Sequence, residues 1–174
     1  MYIAIDIGGT NMRVGLVDTQ GEPRILKLES RPVPQDYRVG IAELMDCIAQ
    51  VSAGAELQGI GACFPGIIDK DDMVTTANNL PDWAQKPIKQ TLRERFQTPV
   101  KLIHDVQAAA IGEALYGAAR GRDRFVYFIW GTGVGAGDIK KIDEKRYFMF
   151  SFENGHHIME WGGKLCNCGQ RGCP

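Results

Sequence analysis

The stretch "IAIDIGGTNMRVGLVD", residues 3–18, holds two strand patterns joined by a glycine turn. Ile3, Ile5 and Ile7 alternate with small or polar residues, so residues 2–7 have one apolar face. Gly8-Gly9-Thr10-Asn11 breaks the alternation, which resumes at 12–18. Residues 18–21, DTQG, form a second turn cluster, and PRILKLESRPV at 23–33 reads as a third strand. Strand, turn, strand, turn, strand predicts an antiparallel start rather than a Rossmann βαβ unit. The Gly-Gly-Thr turn offers unobstructed backbone N–H groups and a hydroxyl, which suits a phosphate. A plain hairpin turn satisfies the same pattern. Asp6, at the end of the first strand, is placed to hold Mg²⁺ through water.

Working outward, Ile41, Leu44, Met45 and Ile48 form the stripe of a helix over 38–53. LQGIGACFPG at 57–66 reads as a short strand closed by a Pro-Gly turn, and 67–85 as a loop. A helix follows, with Pro87 at its first position and Ile88, Leu92 and Phe96 on one face. PVKLIH at 99–104 is a strand, and residues 105–121 are a helix closed near Gly117 to Gly121. Asp105 reads locally as an N-cap, a role compatible with a chemical one. RGRDR at 120–124 is the expected joint between a first domain, 1–119, and a second, 120–174. FVYFIW is then a strand and GTGVGAG at 131–137 a second glycine turn, whereas 138–152 alternates poorly and resists assignment. Two strand-following glycine turns suggest two lobes clasping one polyphosphate.

A chain of 174 residues suffices for one core plus part of another. Its net charge of −1 argues against a surface built for nucleic acid. No run approaches the ~20 apolar residues of a membrane span, and no secretion signal is legible, so a cytoplasmic location is expected. Thiols are mostly reduced there, which favours metal binding over cross-linking for clustered cysteines. The spacing His156-x9-Cys166-x-Cys168-x4-Cys173 fits a tetrahedral Cys3His zinc site, with free thiols as the alternative. Cys-x-Cys is not the thioredoxin spacing. Cys47 and Cys63 read as small core residues.

Taken together, IAIDIGGTNMRVGLVD, HDVQAAAIGEALYGAARG, GTGVGAG and GHHI…CNCGQRGC occur in an order and spacing that resembles the ROK family. That family groups sugar kinases with related repressors. The resemblance implies an α/β, actin-like (ribonuclease H-like) fold, a mixed sheet flanked by helices, with only the start of a second lobe present. It implies an ATP-dependent glucokinase-like enzyme that phosphorylates a hexose or amino-hexose hydroxyl, most simply O6, with Asp105 as general base. Sugar contacts would fall on Gly66, Asn79, His104, Asp105, Glu153 and His156. ATP and Mg²⁺ would be held at Asp6, Gly8, Gly9, Thr10, Asn11, Gly131, Thr132 and Gly133. A structural Zn²⁺ would sit on His156, Cys166, Cys168 and Cys173 and order the loop bearing Glu153 and His156. The family also implies a homo-oligomer. The alternative is a non-catalytic sugar-binding protein; a start at Met1 leaves no room for the helix-turn-helix of the repressors. This sequence departs from the family at His104, where Asn is usual, at Phe152-Glu153, where Gly-Glu is usual, and in ending at Pro174, which reads as a truncation.

Overall fold

A computed structural model describes residues 1–77, 79–130, 134–143, 146–152, 154–166 and 168–173, with backbone alone at 151, 152 and 154. The chain divides into two compact units, Met1–Asp105 and Val106–Pro174. The first unit begins with β1 (Tyr2–Ile7), β2 (Asn11–Asp18), β3 (Arg24–Pro32) and α1 (Tyr37–Val51). It continues with β4 (Gly59–Phe64), β5 (Ile67–Ile68), β6 (Val74–Thr76), α2 (Ile88–Phe96) and β7 (Val100–His104). Five of these strands form one sheet in the order β3-β2-β1-β4-β7. β1, β2 and β3 pair antiparallel, as the two turn clusters predict. β4 lies parallel to β1, and β7 parallel to β4. Parallel neighbours need a crossover, and α1 and α2 supply them.

The alternation decides which face is buried. Ile3, Ile5, Ile7, Val14, Leu16, Ile60, Ala62, Phe64, Val100 and Leu102 pack in one cluster with Ile41, Leu44 and Ile48 of α1 and Ile88 and Leu92 of α2. The opposite face of β1 therefore carries Tyr2, Ala4 and Asp6. Two carboxylates cap α1: Asp36 accepts from the Val39 N–H at 2.9 Å, and Asp82 from the Tyr37 N–H at 2.8 Å. Losing such a cap costs about 1 kcal/mol.

Residues 67–85 are more ordered than the loop predicted for them. They hold the β5–β6 hairpin and a 3-10 turn, Pro81–Trp83. Strands of two and three residues are too short for alternation to register. Trp83 is buried and donates its indole N–H to the Pro34 carbonyl at 3.0 Å.

α3 (Asp105–Tyr116) starts on Asp105 itself, which is thus the first helical residue rather than a flanking cap. In the second unit, β8 (Arg124–Trp130), β9 (Val134–Lys141) and β10 (Tyr147–Phe152) form an antiparallel sheet in the order β10-β9-β8. Val134 to Gly137 lie in β9 rather than in a turn, and the stretch 138–152 supplies the rest of β9 and all of β10. Glycines at 135 and 137 contribute no side chain to the alternation, which explains why the sequence conceals this strand. Among the described residues no helix is long and apolar enough to cross a membrane.

Candidate functional site

β1, β4 and β7 run in the same direction, so their carboxyl ends share one sheet edge, where open α/β sheets bind ligands. That edge carries Asp6, Cys63 and the pair His104–Asp105. Asp6 is opposite Cys63 in the parallel register and opposite Arg13 in the antiparallel one. The Cys63 thiol donates to Asp6 Oδ1 at 3.4 Å, and Arg13 Nη1 lies 3.5 Å from Asp6 Oδ2. Arg13 and Asp6 are 61% and 49% exposed, so this ion pair orients the carboxylate more than it stabilises the fold. Cys63 is therefore a neighbour of the site rather than the core residue predicted. Burial pushes its thiol up to about 12, helped by the charge and hydrogen bond of Asp6 and the charge of Asp105. It stays a protonated donor at neutral pH. His104 Nδ1 lies 3.1 Å from Asp105 Oδ1, an arrangement that orients the carboxylate.

The glycine turn is fixed by backbone bonds. The Gly8 N–H donates to the Asn11 carbonyl at 2.8 Å, and the Val33 N–H to the Thr10 carbonyl at 2.9 Å. Gly9 does not have a positive φ, so its requirement is space rather than conformation. A Cβ on Gly9 would lie 2.9 Å from the Asn79 Cβ. The glycine turn and Asn79 thus share a wall. Asn79 is followed by Leu80 and Trp83, both buried. Gly66, with φ of 135°, lets the Pro-Gly turn close on the Thr76 carbonyl, which a Cβ would strike. Gly9→Ala is expected to displace the Asn79 side chain, read as shifted NMR signals of its side-chain amide. Unchanged signals in a folded variant would contradict the shared wall.

Of the sugar and nucleotide positions expected from the sequence, Asp6, Gly8, Gly9, Thr10, Asn11, Gly66, Asn79, His104 and Asp105 fall in the first unit. Gly131, Thr132, Gly133 and Glu153 lie outside the described residues. His156 lies in the second unit with the three cysteines.

One ligand atom from each of His156, Cys166, Cys168 and Cys173 falls within 4.8 Å of the others. Cys168 Sγ and Cys173 Sγ are 3.8 Å apart, and Cys166 Sγ is 3.7 Å from His156 Nδ1. A tetrahedron with Zn–S bonds of ~2.3 Å has S–S edges of about 3.8 Å and S–N edges of about 3.6 Å. Donor chemistry and spacing therefore both fit zinc. All five cysteines are free thiols. The knuckle is shaped by backbone bonds from Cys166 N–H to the Gln170 carbonyl (2.8 Å) and from Gly172 N–H to the Lys164 carbonyl (2.9 Å). Hydrogen bonds from Cys168, its backbone first and then its thiol, pull the Cys166 thiol down to about 7. Burial, then hydrogen bonds with Cys168 and Cys166, push Cys173 up to about 11. The thiolate is the reactive form, so in the metal-free chain at about pH 7.5 iodoacetamide should label Cys166 and spare Cys63, whose raised thiol stays protonated. Peptide mass spectrometry reads the labelling; Cys63 labelled as fast as Cys166 would refute it.

Glucokinase of Thermotoga maritima is 36% identical over 179 residues, covering 98% of this chain and 55% of that protein. The xylose repressor of Bacillus subtilis is 32% identical over 180 residues, covering 98% of this chain and 46% of that protein. Among solved structures, a ROK family glucokinase from Streptomyces griseus, in complex with glucose and AMPPNP, superposes with a TM-score of 0.81 at 33% identity. It covers 99% of this chain and 55% of that one. The chain spans about half the length of these relatives. The mixed sheet and its flanking helices thus define a protein of the actin-like ATPase fold. The chain belongs to the ROK family, whose pattern matches residues 2–174.

Proposed function

We propose that this protein is an ATP-dependent sugar kinase that transfers the γ-phosphoryl group to a hexose or amino-hexose hydroxyl, with O6 as acceptor and Asp105 as general base. The observation that carries this reading is Asp105, held beside His104 at the sheet edge that also bears Asp6. Asp105 accepts the proton of the sugar hydroxyl while that oxygen attacks phosphorus. The rest of the work is positioning and charge neutralisation, as in phosphoryl transfer generally. Gly66, Asn79, His104, Glu153 and His156 orient the sugar hydroxyls. The N–H groups and hydroxyl of Gly8 to Asn11, with Gly131 to Gly133, cradle the phosphates.

Asp6 has a half-exposed carboxylate already aimed by Cys63 and Arg13, which fits a role in holding Mg²⁺ through water. Magnesium supplies neutralisation of phosphate charge when bound. His156, Cys166, Cys168 and Cys173 would hold Zn²⁺ with every ligand from protein, so the zinc is structural. The first lobe is taken as 1–119 and the second as starting at 120, and the working form as a homo-oligomer in the cytoplasm.

ADP release on a panel of hexoses and amino-hexoses tests the reading; no turnover with any of them rejects it. Similarity to the xylose repressor favours a second reading, a sugar-responsive regulatory protein. Thermal stabilisation by sugar without ADP release would select it.

A further inference from the structure

Asp72 is a carboxylate in the turn between β5 and β6, only 6% exposed, on a left-handed backbone with φ of 63°. Lys89 Nζ of α2 donates to its Oδ2 at 2.8 Å, and Lys101 Nζ of β7 donates to its Oδ1 at 2.5 Å. A turn with positive φ needs only Gly or Asn, so neither the charge nor its burial is explained by the turn. A buried carboxylate is costly unless paired, and here each oxygen has its own ammonium partner. The three elements joined are informative. β6 runs directly into the loop bearing Asn79, and β7 runs from Lys101 to His104 and Asp105. The Gln85 N–H, beyond that loop, returns to the Val74 carbonyl at 2.7 Å, so the hairpin holds both ends of the segment 74–85.

We propose that Asp72 is a positioning residue: its paired bonds to Lys89 and Lys101 hold the Asn79 loop in fixed relation to Asp105 and so set the affinity for sugar. This rests on the sugar-kinase reading above. Burial tends to raise the Asp72 carboxyl, but hydrogen bonds from Lys101 and Lys89 outweigh it and hold the group below 3.8. A carboxyl lowered by folding stabilises above its unfolded pKa and loses that contribution as pH falls through the folded value. The clamp is therefore closed throughout the neutral range and opens only in acid.

Asp72→Asn keeps the shape and tolerates the left-handed backbone but removes the charge. Its sugar KM should rise about tenfold, the effect of losing roughly 1.4 kcal/mol of binding, with the ATP KM within about twofold. Hydrogen exchange at the Leu80 and Gln85 amides should accelerate by about tenfold. Lys101→Arg, which keeps the pair, should behave as wild type, whereas Lys101→Met should resemble Asp72→Asn. Unchanged sugar KM, or equal losses for sugar and ATP, overturns the proposal. Should Asp72→Asn fail to fold, Lys101→Met carries the same measurements. The exchange readout separates the two ideas: wild type without turnover rejects the kinase reading, while unchanged Leu80 and Gln85 exchange in Asp72→Asn rejects the clamp whether or not the protein is a kinase.

Discussion

Asp105→Asn is expected to lower sugar phosphorylation about 10²–10⁴-fold, the usual contribution of a positioned general base. The variant is nearly isosteric, so α3 should still begin at this residue and His104 should still lie against it. What it lacks is an oxygen basic enough to take the hydroxyl proton. Sugar binding should persist, since an amide still hydrogen-bonds a hydroxyl. The diagnostic pattern is a collapsed kcat with a sugar KM changed only a few-fold, read from ADP release. Sugar-dependent thermal stabilisation should be retained. Equal turnover in wild type and Asp105→Asn would remove Asp105 from the chemistry.

Removal of the proposed zinc should have a comparably large effect through a different route. The segment 157–173 has little apolar burial of its own: Ile158, Met159, Trp161 and Leu165 are all exposed. Its only ladder among the described residues is the isolated bridge between Leu165 and Arg171. The bridge and the few other backbone bonds within the segment do not by themselves offset the entropy of ordering it. Zinc binding contributes about 10–16 kcal/mol in zinc-finger peptides, so zinc on the four proposed ligands would be the organising element here. Chelation, or Cys173→Ser, should release one zinc per chain and expose residues 157–173 to protease. Sugar affinity should fall because His156 serves both sites in the proposed mechanism. The first unit, with its own core, should keep its far-UV signal. A chelated chain with unchanged proteolysis and unchanged sugar binding would show that the four ligands do not organise this segment.

Much of the fold is legible in short-range pattern. Alternation at Ile3, Ile5 and Ile7 marks β1, and the stripe Ile41, Leu44, Ile48 marks α1, because each pattern reflects burial of one face by a single neighbouring layer. The clustering of His156 with the three cysteines is equally legible, since the cysteines lie within eight residues and the family resemblance points to His156 as the fourth member. β9 and β10 escape the pattern because Gly135 and Gly137 dilute it, and β5 and β6 because they are too short. Cys63 escapes as a neighbour of the site because its alternation marks it only as half-buried, not what it faces.

By itself, then, the sequence determined β1 to β4, β7, β8, the helices, the antiparallel opening and the His-Cys cluster, all of which depend on residues close together in the chain. Tertiary structure decided what meets across long separations. Cys63 reaches Asp6 over 57 residues through a parallel register, and Lys101 reaches Asp72 over 29. Gly9 meets Asn79 across two turns that share no pattern. Local periodicity reports whether a side chain is buried, but its partner is set by strand order and crossovers, and these follow from packing of the whole unit.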